Sequence, residues 1–173
     1  MKIKGTGWRF GKNINTDLIF PGRYFKPKYA PGEIKSHIME GADPDFPNKV
    51  QPGDIIVGGR NFGCGSSREE AAICMRDAGV GALVAPSFGR IFTRNCINLG
   101  VPVITCPGID ALIKTGDEIE IDLGGGIIRN LSTGHEETFP SLPAEMLTLI
   151  EVGGLAEYTK RKIAERKARS VAS

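Results

Sequence analysis

DIIVGGRNFGCGSSREEAAICMRDAGVGALVAP, residues 54–86, sets two structural periods side by side. Asp54-Ile-Ile-Val-Gly58 is short, β-branched and apolar, and Ala82-Leu-Val-Ala85 repeats that character, so both read as buried strands. Between them, in the span Ser67 to Ala78, Ala71, Ala72, Cys74, Met75 and Ala78 recur at helical spacing, and Gly79 closes the run as a helix stop. The pattern then repeats. Phe88 to Leu99 places Ile91, Phe92, Cys96 and Leu99 on one stripe, Gly100 ends it, and Val101-Pro-Val-Ile-Thr105 is a third apolar strand. Strand, helix, strand, helix, strand with short connections makes two βαβ units, and the right-handed crossover sets three parallel strands side by side. The spacing therefore predicts an α/β fold with a parallel βαβαβ core.

Working outward, the texture changes after Pro107. Glu118-Ile-Glu-Ile-Asp122, Gly124-Gly-Gly126 and Ile127-Ile-Arg-Asn130 read as a glycine-turned β-ribbon, which predicts a second, more antiparallel β layer. Upstream, Asp17 to Asp45 is long, rich in Pro, Gly and Lys, and weakly periodic apart from a brief helical signal near Ile34 to Met39. Loops of that length in compact domains tend to be functional or disordered. The tail from Ala156 to Ser173 carries Lys160, Arg161, Lys162, Arg166, Lys167 and Arg169 with few large apolar residues. It reads as a solvated helix fraying at its end or as a docking helix for a partner.

The chain has 173 residues, which fits one domain over 1–173 with a tail from about 156. Hydrophobic residues are 40% and charged residues 24%, the balance of a soluble globular protein, and 22 basic against 20 acidic side chains leave too little excess to attract nucleic acid. No apolar run is long enough to span a membrane, and Met1-Lys-Ile-Lys-Gly5 lacks the apolar region of a signal peptide, so a cytoplasmic protein is expected. Cys64, Cys74, Cys96 and Cys106 form no C-x-x-C pair, and with only His37 and His135 beside them they make no zinc pattern. Cys74, Cys96 and Cys106 sit in apolar periodic context and read as small core residues. No metal site is expected in this chain.

The loop Asn61-Phe-Gly-Cys-Gly-Ser-Ser-Arg-Glu-Glu70 leaves a parallel strand at its carboxyl end, at the crevice edge where open α/β sheets bind ligands. A helix start there points unpaired N–H groups outward, and an anion is their natural guest. Arg68 adds a planar fork suited to a carboxylate or phosphate. A purely structural use is also available, since Ser66 with Glu69, or Ser67 with Glu70, has the spacing of a capping box. Capping does not require Gly63, Gly65, Arg68 and a second serine together. Of three candidate chemistries, a phosphate cradle lacks the third glycine, where Arg68 stands, and a Cys64 nucleophile lacks a histidine in the loop. A serine hydroxyl acting as an unusual base on a carboxylate substrate held by Arg68 uses all the polar residues.

Together with this GCGSSRE loop, Asn15-Thr-Asp-Leu-Ile19 with Pro21-Gly-Arg-Tyr24, Gly41-Ala-Asp-Pro-Asp-Phe46, and Ser87-Phe-Gly-Arg-Ile-Phe92 with Arg94-Asn95 and Asn98 carry a family resemblance. From about residue 3 to about residue 155 the chain resembles the small subunit of 3-isopropylmalate dehydratase and its homoaconitase relatives, a free-standing version of the swivelling β/β/α domain of aconitase. The resemblance implies a two-subunit hydro-lyase of leucine biosynthesis. In it a separate large subunit holds a [4Fe-4S] cluster whose open iron acts as a Lewis acid, and a 2-hydroxy diacid is isomerised through an alkene. It implies that Ser66 is the catalytic base, that Ser67 and Arg68 bind substrate carboxylate, and that Asp17 is an active-site acid, although Asp17 also fits an ordinary loop or cap. Arg23 lies in the loop that covers substrate in relatives, where it can bind a carboxylate or staple the loop. Relatives commonly follow Gly-Arg-Tyr with leucine and arginine, whereas this chain reads Tyr24-Phe25-Lys26-Pro27-Lys28-Tyr29. Phe25 can offer an apolar wall to a branched alkyl group, and Lys26 or Lys28 can receive a third carboxylate. The expected activity is isomerisation of 2- to 3-isopropylmalate. The alternatives are a homoaconitase-type or methylated-malate dehydratase subunit and, outside enzymes, a non-catalytic anion-binding module.

Overall fold

The computed structural model describes residues 1–171, with side-chain surroundings through residue 168. Along the chain run β1 (Lys2–Arg9), α1 (Thr16–Ile19), α2 (Phe46–Lys49), β2 (Ile55–Val57), α3 (Glu70–Asp77), β3 (Ala82–Ala85), α4 (Arg90–Asn98) and β4 (Val103–Thr105). They continue with α5 (Ile109–Leu112), β5 (Glu118–Asp122), β6 (Ile127–Asn130), β7 (His135–Thr138), α6 (Ala144–Glu151) and α7 (Leu155–Val171). Short 3-10 turns occupy Gly22–Tyr24 and Ile34–His37.

The strands pair in the order β4-β3-β2-β1-β5-β6-β7. The three expected parallel strands are β2, β3 and β4, in register Ile55 to Ala82 and Leu83 to Val103. A fourth strand, β1, joins both halves: Lys2 to Thr6 run antiparallel to β5, and Gly7 to Arg9 run parallel to β2. In its KIKGTGWR sequence Ile3 and Trp8 are the only large apolar residues, so it has no apolar run to announce it.

Alternation along the parallel strands sorts two cores. Ile56, Leu83 and Ala85 join Ala72, Met75, Phe92 and Cys96 under the helices. Ile55, Val57, Ala82 and Val84 join Ile119, Ile121, Leu123 and Ile128 of the antiparallel ribbon, which curls beneath the sheet. The result is the expected β/β/α arrangement, with α3 and α4 on one face and the β layer, joined by α5 and α6, on the other. Both expected helix stops form. Gly79 (φ +73°) lets the Val80 N–H reach Met75 O at 3.0 Å, and Gly100 (φ +77°) lets the Val101 N–H reach Cys96 O at 2.9 Å.

At two places the chain differs from its sequence pattern. Helix α3 starts at Glu70 rather than Ser67, its N-cap Glu69 makes no side-chain cap bond, and neither capping box forms. The segment 17–45, weakly periodic in sequence, takes in most of α1 and two 3-10 turns, the second where the brief helical signal near Ile34 to Met39 is expected. It is organised by aromatic contacts around the buried Phe20 ring, with Tyr24, Phe25, Tyr29 and His37 about it. Cys74, Cys96 and Cys106 are buried as expected, and burial pushes their thiols up, which keeps them protonated. Helix α7 is largely exposed and carries internal pairs from Lys160 to Glu157 (2.7 Å) and Lys162 to Glu165 (3.3 Å), which suits a solvated helix. The Arg169 side chain, Ala172 and Ser173 lie outside the described residues. No described helix is long and apolar enough to cross a membrane.

Candidate functional site

At the carboxyl edge of the parallel sheet, three loops are laced together by backbone bonds. The loop after β2 forms single bridges to both neighbours, Cys64 to Asn15 and Phe62 to Phe88. The Thr16 N–H donates to Cys64 O (2.9 Å), the Gly63 N–H to Ile14 O (2.7 Å), and the Gly89 N–H to Phe62 O (2.8 Å). This lacing needs glycine. Gly63 has φ +72°, and a Cβ there would fall 2.2 Å from the Phe92 ring; one on Gly89 would fall 2.3 Å from Gly63 O. Residues far apart in sequence are thereby fixed around the Gly65-Ser66 turn.

The exposed Ser66 carries its Oγ 3.0 Å from Oγ1 of Thr16, whose side chain is buried. Because this hydroxyl points to Thr16, it is not available to cap α3. Arg68 has partners of its own. Its Nη1 pairs with Asp17 Oδ1, and its guanidinium carbon lies 4.6 Å from the centre of the Phe25 ring. Gly22 completes this slot, since a Cβ there would sit 3.0 Å from Arg68 Nη1 and 3.2 Å from Asp17 Oδ1. Asp17 is free for this pairing because Asn15 caps α1, its Oδ1 accepting from the Leu18 N–H at 2.9 Å. Ser67 is exposed beside the slot and makes no side-chain hydrogen bond among the described residues.

The structure thus gathers Ser66, Ser67, Arg68, Asp17 and Phe25. The other two expected site residues are turned to carboxylates of their own segment. Arg23 pairs with Glu40 at 2.5 Å, the stapling role, and Lys26 pairs with Glu33. Two features were not singled out from sequence. Thr16 is one, although it adjoins Asp17 in the Thr16-Asp17 signature. The other is a cleft of about 860 Å³ lined in part by Ser66, running from Gly63 to Thr105 past Arg90, Arg94 and Asn95. Arg90 and Arg94 are exposed there and make no ion pair among the described residues. Their signal lay in the Ser87-to-Asn95 motif.

Chemically, the site offers one hydroxyl backed by a second and a guanidinium fork in a polar and aromatic slot. The Thr16 hydroxyl can donate to Ser66 Oγ and stabilise it as a proton acceptor, while Arg68 can exchange its Asp17 partner for a ligand carboxylate. Among the described residues, no group of His, Cys, Asp and Glu is placed to hold a metal.

Comparison with known proteins gives one consistent result. Residues 11–107 match the aconitase C-terminal domain family. The chain is 52% identical to the isopropylmalate/citramalate isomerase small subunit of Methanocaldococcus jannaschii, across 94% of this chain and 96% of that protein. It is 50% identical to the methanogen homoaconitase small subunit of Methanothermobacter thermautotrophicus, across 93% and 92%. A solved structure of 3-isopropylmalate dehydratase from Methanocaldococcus jannaschii superposes with a TM-score of 0.88 at 41% identity, covering 97% of this chain and 99% of that one.

Proposed function

The chain belongs to the aconitase C-terminal domain family, and from that premise we propose that it is the small subunit of a 3-isopropylmalate dehydratase-type hydro-lyase. With a large subunit it isomerises 2-isopropylmalate to 3-isopropylmalate by dehydration and rehydration. The observation that carries this reading is the Ser66–Thr16 hydroxyl pair set beside the Arg68 fork. Ser66 acts as the alkoxide: its Oγ takes the proton from the substrate carbon, becoming the neutral hydroxyl, and returns it on rehydration, and the Thr16 hydroxyl donates to Ser66 Oγ to stabilise the negative charge it holds before the transfer. Arg68 and Ser67 hold a substrate carboxylate, for which Asp17 gives up the guanidinium. Asp17 keeps the fork oriented until then.

A [4Fe-4S] cluster is assigned to the large subunit, where it supplies a Lewis acid for the substrate hydroxyl and carboxylate. This chain's own residues do not fit such a group, since three of its four thiols are buried and no metal-holding cluster occurs among the described residues. None of the steps assigned to this chain involves it.

The slot favours an alkyl-bearing substrate over a third carboxylate. Phe25 is 40% exposed with its ring on Arg68, which places an apolar wall next to the carboxylate fork, while Lys26 is already engaged by Glu33. A homoaconitase-type triacid that used Lys26 would have to break that pair. The test is anaerobic reconstitution with the large subunit, followed by kcat/KM for isopropylmalate, a methyl-substituted malate and a homoaconitate-type triacid. Isopropylmalate is expected to lead, the methyl analogue to follow, and the chain alone to be silent. A triacid turned over best would reject the substrate assignment, and hydration by the iron-free chain alone would reject the two-subunit reading.

A further inference from the structure

Glu40 lies outside the slot, yet it gathers more partners than any residue in it. The Tyr24 hydroxyl donates to its Oε1 at 2.6 Å, Arg23 Nη2 donates to the same oxygen at 2.5 Å, and His37 Nδ1 meets Oε2 at 2.7 Å. The imidazole of His37 also stacks on the Tyr24 ring, with centroids 3.6 Å apart. Burial pushes the Glu40 carboxyl up, but the hydrogen bonds from Tyr24, His37 and Arg23 outweigh it and hold the group below its ordinary value. Glu40 is therefore a charged, two-sided clamp at neutral pH.

The clamp is mounted on a rigid base. The Met39 N–H donates to Ile19 O at 2.7 Å and the Gly41 N–H to Leu18 O at 3.1 Å, so the backbone on both sides of Glu40 is fastened to α1, which carries Asp17. Gly41 packs so closely that a Cβ would lie 2.7 Å from Leu18 Cα. What the clamp holds is the opposite strap, Gly22–Tyr24, whose next residue is Phe25. Among the described residues, Arg23 and Tyr24 make the strap's only side-chain hydrogen bonds to this base, since the Lys26–Glu33 pair lies within the segment itself. Gly22 and Phe25 in turn are two walls of the Arg68 slot.

We propose that Glu40 is a positioning residue for the reaction: its carboxylate fixes the Gly22–Tyr24 turn to α1 and so sets where Phe25 and Gly22 meet the Arg68 guanidinium. The inference rests on the function proposed above. Glu40 touches no substrate; it determines the width and apolar character of the slot through the strap, and its loss affects binding rather than proton transfer at Ser66.

The test pairs two measurements on Glu40→Gln, which keeps the shape and removes the charge. In the isolated chain, amide exchange at Tyr24 and Phe25 should quicken about tenfold, while amides of β2 and α3 keep their rates. In the reconstituted two-subunit enzyme, KM for isopropylmalate should rise about five- to tenfold with a much smaller change in kcat. Tyr24→Phe, which keeps the ring on His37 and deletes one donor, should move both in the same direction by less, and it serves where Glu40→Gln does not fold. Exchange that quickens equally throughout the sheet, or a KM that stays put while the strap loosens, would overturn the proposal. A wild-type complex inactive on every hydroxy diacid would count against the proposed function, and the exchange measurement would then judge the clamp by itself.

Discussion

Ser66 Oγ faces Thr16 Oγ1 at 3.0 Å while the cap of α3 is left to Glu69, so the two uses open to this serine in the sequence are separated by geometry. A capping serine would cost about 1 kcal/mol on truncation. Truncating Ser66 removes no cap, but it takes the hydrogen-bond partner from the buried Thr16 hydroxyl, a cost of up to about 1–3 kcal/mol. Ser66→Ala in the reconstituted enzyme should lower kcat by roughly two to four powers of ten, the usual contribution of a positioned proton acceptor, a loss far larger than the accompanying fall in the small chain's melting temperature explains. Thr16→Val removes only the donor behind Ser66. It should lower kcat by less, leave KM near its wild-type value, and destabilise the chain because the lost hydroxyl is buried. Near-normal turnover by Ser66→Ala would move the base elsewhere, and the cleft past Arg94 would be the place to look.

The laced loops carry the site, and they also mark where sequence reading stops. The βαβ stretch is legible because Ile55 to Val57 and Ala82 to Ala85 are apolar runs and Gly79 and Gly100 supply left-handed helix ends, all local signals. The GCGSSRE chemistry is legible as a list of functional groups. What joins Ser66 to Thr16 is a contact between residues 50 positions apart, set by backbone bonds between loops, and no local period encodes it. Arg23 and Lys26 stay ambiguous in sequence for a related reason: a basic side chain in a loop looks available until Glu40 and Glu33 are known to face it. If the lacing positions the site, Gly63→Ala should damage both together. The new Cβ meets the Phe92 ring at a left-handed φ, a strain of about 1–3 kcal/mol. The measurable result is a lower melting temperature and a fall in kcat/KM larger than that loss of folded protein explains. Wild-type activity at a wild-type melting temperature would mean that Phe92 moves aside and the lacing is not required.

At the scale of the whole molecule, β1 is the seam. Its first half pairs with the antiparallel ribbon and its second half with the parallel sheet, so the two cores share one strand and should not unfold separately. Trp8 sits at this seam, its Nε1 donating to the buried Asp54 at 2.7 Å, and it is the sole tryptophan in the chain. Its fluorescence therefore reports the junction, while far-UV circular dichroism reports all the elements. The two signals should trace a single coincident denaturation curve. Gly5 gives the perturbation, because a Cβ there would lie 2.2 Å from Gly53 O, a backbone atom that cannot swing aside as a side chain would. Gly5→Ala should cost about 1–3 kcal/mol, the usual penalty for overpacking, and should shift both curves to lower denaturant by the same amount. If the ribbon and the helix-covered sheet were independent, the fluorescence and dichroism midpoints would separate in Gly5→Ala. That result would make the antiparallel half an appendage of the fold rather than a part of its cooperative core.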